Sequence, residues 1–303
     1  MSPIRRSTPT YEGRVLPRPD EEVVDQGLAF DLGTLSRRRL LQGLGLGAGA
    51  AVLAACGASG STASGSTSAA SASGASTGEI PDETAGPYPG DGSNGPDVLE
   101  QSGVVRSDIR SSFGTSTTTA QGVPMTLTLT LTNLATNAPY AGAAVYVWHA
   151  NRDGEYSMYS EGITDENYLR GVQVADAQGR VSFTSVFPAC YDGRWPHIHF
   201  EVYPDQASIT DATKAVATSQ VAIPQATADA VYATSGYEQS VTNLSKVSLS
   251  GDNVFGDDGG ASQTPTVTGD VTSGYALALA VKVDPNTRPT GGNAPAGGQP
   301  PSR

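Results

Sequence analysis

His197 and His199 stand two residues apart in "HIHFEVY", residues 197–203, and are two of the chain's three histidines. On an extended strand, residues i and i+2 point to the same face. With about 3.3 Å of rise per residue, their Cα atoms lie roughly 6–7 Å apart, and both imidazoles can then reach one metal ion. Glu201 shares that face, and Asp192 lies just upstream. Tyrosine is the more abundant oxygen donor, with 12 against 6 Phe. Tyr191 precedes a Gly-Arg turn, and Tyr156 sits in "NRDGEYSMY", directly after "VWHAN". A tyrosinate is a hard anionic donor suited to ferric iron, and a metal must displace its proton because the free phenol titrates near about 10. Two donor sets are therefore open: His197 and His199 with tyrosinates, or with a carboxylate such as Glu201 on Fe(II).

Strands must carry these residues. "MTLTLTLTN" (125–133) alternates Leu and Thr with period 2, which gives one apolar and one β-branched polar face. "AAVYVWH" (143–149) is β-branched and aromatic, "GRVSFTSVF" (179–187) follows the turn signal "DAQG", and 197–203 and 274–283 repeat the pattern. Only "IPQATADAVYA" (223–233) suggests a short helix. The pattern predicts an all-β fold, an antiparallel β-sandwich with few short helices, flanked by disordered tails.

The flanks read differently. Arg37, Arg38 and Arg39 precede an uncharged run of Leu, Gly and Ala from Leu40 to Ala55, which ends in "LAAC" at Cys56. The run is shorter than the roughly 20 residues of a spanning helix. A basic stretch followed by a short apolar one reads as an export signal of twin-arginine type, with Cys56 as the lipid-bearing residue. The expected organisation is a signal peptide over 1–55, a Ser/Gly/Ala-rich tether over 56–78, the folded domain over 79–284 and a Pro/Gly-rich tail over 285–303. Membrane attachment is expected through lipid on Cys56, and Cys190 is then left without a disulfide partner. The formal charge of −12 repels phosphate backbones and excludes nucleic acid as a partner.

The stretches "VYVWHANRDGEYSMY" and "LRGVQVADAQGRVSFTSVFPACYDGRWPHIHFEVY" resemble the intradiol ring-cleavage dioxygenases, the family of the catechol 1,2- and protocatechuate 3,4-dioxygenases, in their exported form. The resemblance covers about 80–284. It implies a β-sandwich holding one non-haem Fe(III) through two tyrosines and two histidines. The family's Gly-x-Tyr pattern falls on Tyr156, and its Arg-x-x-His-x-His pattern falls on Arg194, His197 and His199, with Tyr191 upstream as the second tyrosine. "ETAGPYPGD" (83–91) resembles the segment that lines the substrate pocket. Substrates would be an aromatic diol and O2, and the product a muconate-type diacid. Tyr191 would take a substrate proton, and Arg194 would stabilise the carbanion-like ring. Cys190 stands where exported relatives usually carry Trp, and Tyr146 where many members have an acid.

Other readings stay open on sequence. The chain fits a non-catalytic surface β-sandwich that binds metal, catechol or glycan. Arg194 fits a salt bridge to Asp192 or Glu201. Trp148 and Trp195 fit packing, and His149 fits a core or turn histidine. "GDNVFGDDGG" (251–260) is acidic but lacks EF-hand spacing, and reads as an acidic turn.

Overall fold

The computed structural model describes residues 78–290. Upstream it describes only the backbone of a two-strand antiparallel ladder, β1 (Thr10–Tyr11) with β2 (Arg14–Val15). The export signal, Cys56, the tether through residue 77 and the tail beyond residue 290 otherwise lie outside the described residues.

The domain is two stacked sheets. The first has the order β10–β11–β3–β4, with β7 also paired to β3. Its strands are β3 (Pro124–Asn133), β4 (Ala138–Pro139), β7 (Arg180–Val186), β10 (Thr266–Asp270) and β11 (Gly274–Val283). The second has the order β6–β5–β8–β9, from β5 (Ala144–Trp148), β6 (Arg170–Val174), β8 (His197–Tyr203) and β9 (Ala217–Ala222). Two short helices, α1 (Gln225–Tyr232) and α2 (Glu238–Leu244), follow β9. All pairings in the second sheet are antiparallel. In the first, β11 runs parallel to β3, Tyr275 opposite Met125 through Val283 opposite Asn133. That sheet is therefore mixed, because β11 returns to β3 only after a long crossover through the second sheet and both helices.

Period-2 patterning explains the inner faces. Leu127, Leu129 and Leu131 of β3 and Leu277 and Val281 of β11 meet Val145 and Val147 of β5 and Ile198, Phe200 and Val202 of β8 in one core cluster. The threonines of β3 turn to the opposite side. β5 and β8 behave differently, because every residue of both strands is buried. Their outer faces carry Tyr146, Trp148 and Tyr203, which form a second cluster with Tyr88 and Tyr156 from the covering loops. His197, His199 and Glu201 alternate with the core residues of β8 and share that covered outer face. The candidate chemistry thus lies between a rigid sheet and the loops laid over it.

Past Asp284, residues 285–290 are described and contact the start of the domain. Thr287 Oγ1 donates to Glu79 (2.9 Å), and the Thr290 amide and hydroxyl donate to Asp82 (2.7 and 2.9 Å). These carboxylates give Thr287 and Thr290 partners in the first residues of the domain.

Candidate metal centre

His197 and His199 are nearly fully buried. The Nδ1 of His197 lies 2.5 Å from the Trp195 carbonyl. A carbonyl only accepts, so Nδ1 carries the proton, and Nε2 presents its lone pair. That lone pair faces His199 Nε2 at 3.0 Å and Tyr191 Oη at 3.1 Å. Burial pushes the His197 pKa down to about 3 and His199 well below its usual value, so both rings are neutral. Trp148, cross-strand partner of His199, stacks on its ring at 4.9 Å and 6°. Tyr146 stacks in turn on Trp148 at 4.8 Å.

Tyr156 is delivered by the loop after β5. Asn151 Oδ1 accepts from the amides of Asp153 and Glu155, both at 2.9 Å, and winds the loop tightly. Gly154 sits there at φ +86°, with Tyr191 Cβ 3.2 Å from where its own Cβ would be. The Tyr156 ring comes within 5.8 Å of the Tyr191 ring and 6.2 Å of the His199 ring. Its phenol oxygen is buried with no hydrogen-bond partner, and so is His199 Nδ1. Burial holds both phenols above their usual range; for Tyr191 the Arg194 charge acts in the opposite direction.

These residues fit a metal. Two donor atoms bonded at about 2.1 Å and roughly 90° apart are separated by about 3.0 Å, and the two Nε2 atoms show that spacing. A buried phenol without a partner is costly, and a cation would pair with Tyr156 and stabilise its ionised form. Two imidazoles and two phenolate oxygens form a hard, anionic set suited to iron. The carboxylate alternative does not assemble. Glu201 accepts from Tyr203 Oη (2.8 Å) and Thr218 Oγ1 (3.5 Å). It lines a separate cleft of about 240 Å³ with Asp91, Thr213 and Arg288. Among the described residues no three His, Cys, Asp or Glu side chains are grouped to hold a metal.

Residues 94–200 match a family model described as Dioxygenase, and this span contains Tyr156, Tyr191, Arg194, His197 and His199. A chlorocatechol 1,2-dioxygenase of Pseudomonas sp. strain P51 is 36% identical over 86 residues, covering 22% of this chain and 34% of that protein. One of Rhodococcus opacus is 39% identical over 54 residues, 18% of this chain and 21% of that protein. The chain thus spans about a third or less of the length of these relatives. An intradiol ring-cleavage dioxygenase structure from Tetranychus urticae superposes with a TM-score of 0.54, over 65% of this chain and 94% of that one, at 24% identity. Over the matched residues the described domain is similar to these dioxygenases. The structural likeness establishes the shared β-sandwich fold.

Arg194 is not paired with Asp192 or Glu201. Its Nε donates to Asp252 Oδ2 (3.0 Å), and its Nη2 to Asp252 Oδ1 (3.3 Å) and Gln220 Oε1 (2.7 Å). Asp192 faces Lys246 instead, at 3.7 Å. His149 is a core histidine, bonded to the Ala150 carbonyl and Ser185 Oγ, both at 2.7 Å.

Sequence reading missed Arg170. It is buried, and its five N–H groups all meet neutral oxygens: Ser157 Oγ and carbonyl, the Pro89 and Tyr88 carbonyls, and Tyr146 Oη. It thereby ties the 83–91 segment to the Tyr156 loop. That segment brings Tyr88 to 4.9 Å from the Tyr156 ring, and Gly86 against the edge of His199. The signal was present in "LRG", where an arginine opens a buried strand.

Proposed function

We propose that the domain holds one non-haem Fe(III) through Tyr156, Tyr191, His197 and His199. With O2 it cleaves a catechol-type diol between its two hydroxyl-bearing carbons, and the product is a muconate-type diacid. The observation that carries this reading is the approach of Tyr191 Oη (3.1 Å) and His199 Nε2 (3.0 Å) to His197 Nε2, beside the buried phenol of Tyr156, which has no hydrogen-bond partner. Ferric iron held there would supply a Lewis acid that favours the ionised diol and draws electron density from its ring. The rest belongs to the chain. Tyr191 Oη, the half-buried phenol of the pair, takes a diol proton as general base. The Arg194 guanidinium puts fixed positive charge beside the ring as negative charge develops there. Tyr88 and the 86–90 backbone shape the pocket wall and exclude water. Catechols are the proposed class because similar proteins are described as catechol and chlorocatechol 1,2-dioxygenases.

The deciding experiment is a visible spectrum and iron assay on protein purified without chelator, followed by catechol without air and then O2 uptake. The expected result is a red tyrosinate-to-iron band that shifts with catechol, then oxygen consumption. Tyr156→Phe should abolish both. A protein that stays colourless after iron reconstitution refutes the assignment. One that binds iron and catechol but consumes no oxygen is a binding module. Export and lipid attachment at Cys56 complete the proposal, supported by the arginine-led apolar run ending in "LAAC". Cys56→Ser should release the protein from the membrane fraction.

A further inference from the structure

We propose that Asp252 is a positioning residue for this reaction: it aims the Arg194 guanidinium and fixes the backbone that holds His197. This rests on the function proposed above and extends it to the acidic stretch 251–260, which no site residue had claimed. Asp252 lies 58 residues beyond Arg194, just after the 3₁₀ turn Leu249–Gly251, and its side chain is wholly buried.

The carboxylate is held from two sides. Oδ1 accepts from the amides of Val254 (2.9 Å) and Phe255 (3.3 Å), which lock it to its own loop. Oδ2 accepts from the Trp195 amide at 2.7 Å. With that plane fixed, it takes Arg194 side-on through Nε and Nη2. Gln220 Oε1 accepts from Nη2 as well, and Gln220 is oriented by its own donation to the Thr84 carbonyl at 2.9 Å. Three of the five guanidinium donors are committed by this arrangement. No hydrogen bond of Nη1 is found among the described residues, so both its N–H groups are available to a ligand.

A second consequence runs through the backbone. The Trp195 amide is bound to Asp252, and the Trp195 carbonyl holds the Nδ1 proton of His197. One carboxylate therefore sets both the direction of the substrate-facing cation and the ring orientation of a metal ligand, the usual task of groups behind a metal's own ligands. There is also a charge argument. A guanidinium near a trivalent cation is repelled by it. A carboxylate on its far side offsets that repulsion while leaving Nη1 forward.

The test uses the full-length, iron-loaded protein and the variants Asp252→Asn and Asp252→Glu. Asn keeps the shape and removes the charge; Glu keeps the charge and displaces the fork by one methylene. Both should keep the fold and an anaerobic catechol affinity within about threefold, while iron affinity falls and kcat per bound iron falls on the order of tenfold or more. A purely structural role would lower iron content and catechol binding together and leave kcat per bound iron unchanged. Arg194→Lys made in the Asp252→Asn background should add less than its effect alone, because both changes disturb one unit. If the wild type turns over and Asp252→Asn and Asp252→Glu match it, the positioning role is refuted and the function stands. If the effects of Asp252→Asn and Arg194→Lys multiply, Asp252 acts elsewhere. If the wild type is colourless and inactive, the function itself fails, and Asp252 is left as a fold-stabilising partner of Arg194. Should Asp252→Asn fail to fold, Asp252→Glu carries the same comparison.

Discussion

At the scale of single residues, the site is a place where burial opposes charge. Tyr156, Tyr191, His197 and His199 are all driven toward their neutral forms by desolvation. Phenolate donors would be reached only against a cation, and in the proposed site metal loading and phenol ionisation would be one event. His149, which is not among the proposed ligands, shows the same physics. Burial lowers its pKa to about 4, from an ordinary value of 6.5. In the unfolded chain the ring takes up a proton as pH falls through about 6.5, whereas in the folded domain it resists until about 4. The unfolded state therefore binds more protons in that window, and stability falls with acidification between those values. By pH 4 this single group accounts for roughly 3 kcal/mol. His149→Gln should flatten that part of the stability–pH curve, measured as urea midpoints from pH 7 to pH 4. An unchanged slope would mean the ring is not held neutral.

At the scale of elements, positioning depends on loops that approach one another more closely than most side chains permit. Gly154 is the clearest case. Its φ of +86° is disfavoured for residues with a Cβ, and an added Cβ would press on Tyr191 at 3.2 Å. Gly154→Ala should cost about 1–2 kcal/mol of stability. It should also shift the tyrosinate band, because the strain falls on a proposed ligand; a spectrum identical to wild type would show that the Tyr156 loop and Tyr191 are not mechanically coupled. The elements themselves differ in how far they can be read from sequence. β3 and β11 declare themselves by Leu alternation, since one face is core and the other is not. His197-x-His199 and Gly154-x-Tyr156 are local patterns and show at once. β9 does not: "ATSQVA" is buried on both faces, and its polar groups are matched by distant residues. Thr218 meets Glu201, Ser219 meets Gln263 and Gln220 meets Arg194. Asp252 was illegible for the same reason. Its meaning lies in an arginine 58 residues away, and within its own loop it is one acid among several.

At the scale of the whole molecule, the two ends of the domain close on each other. β11 pairs in parallel with β3, so the last strand completes the sheet begun by the first long one. The Ile80 amide donates to the Lys282 carbonyl (2.9 Å), and the Leu134 amide to that of Val283 (2.9 Å). Glu79 receives the Asp284 amide and the Thr287 hydroxyl, while Asp82 receives Thr290. The incoming strap that leads to Tyr88 and the outgoing strap after β11 therefore brace one another. This bears on the site because 83–91 is also the segment that Arg170 clamps over Tyr156. Chains ending at Asp284 and at Thr290 separate the contribution of the outgoing strap. The shorter chain keeps every strand and the Asp284 bond, but loses the Thr290 bonds to Asp82 and the Thr287 bond to Glu79. It should unfold about 1–2 kcal/mol more easily, read from urea midpoints, with a broader tyrosinate band as the 83–91 segment loosens. Equal midpoints would mean that the two straps only lie side by side, and that the 83–91 segment is held by Arg170, Tyr146, Tyr159 and Gln220 without them.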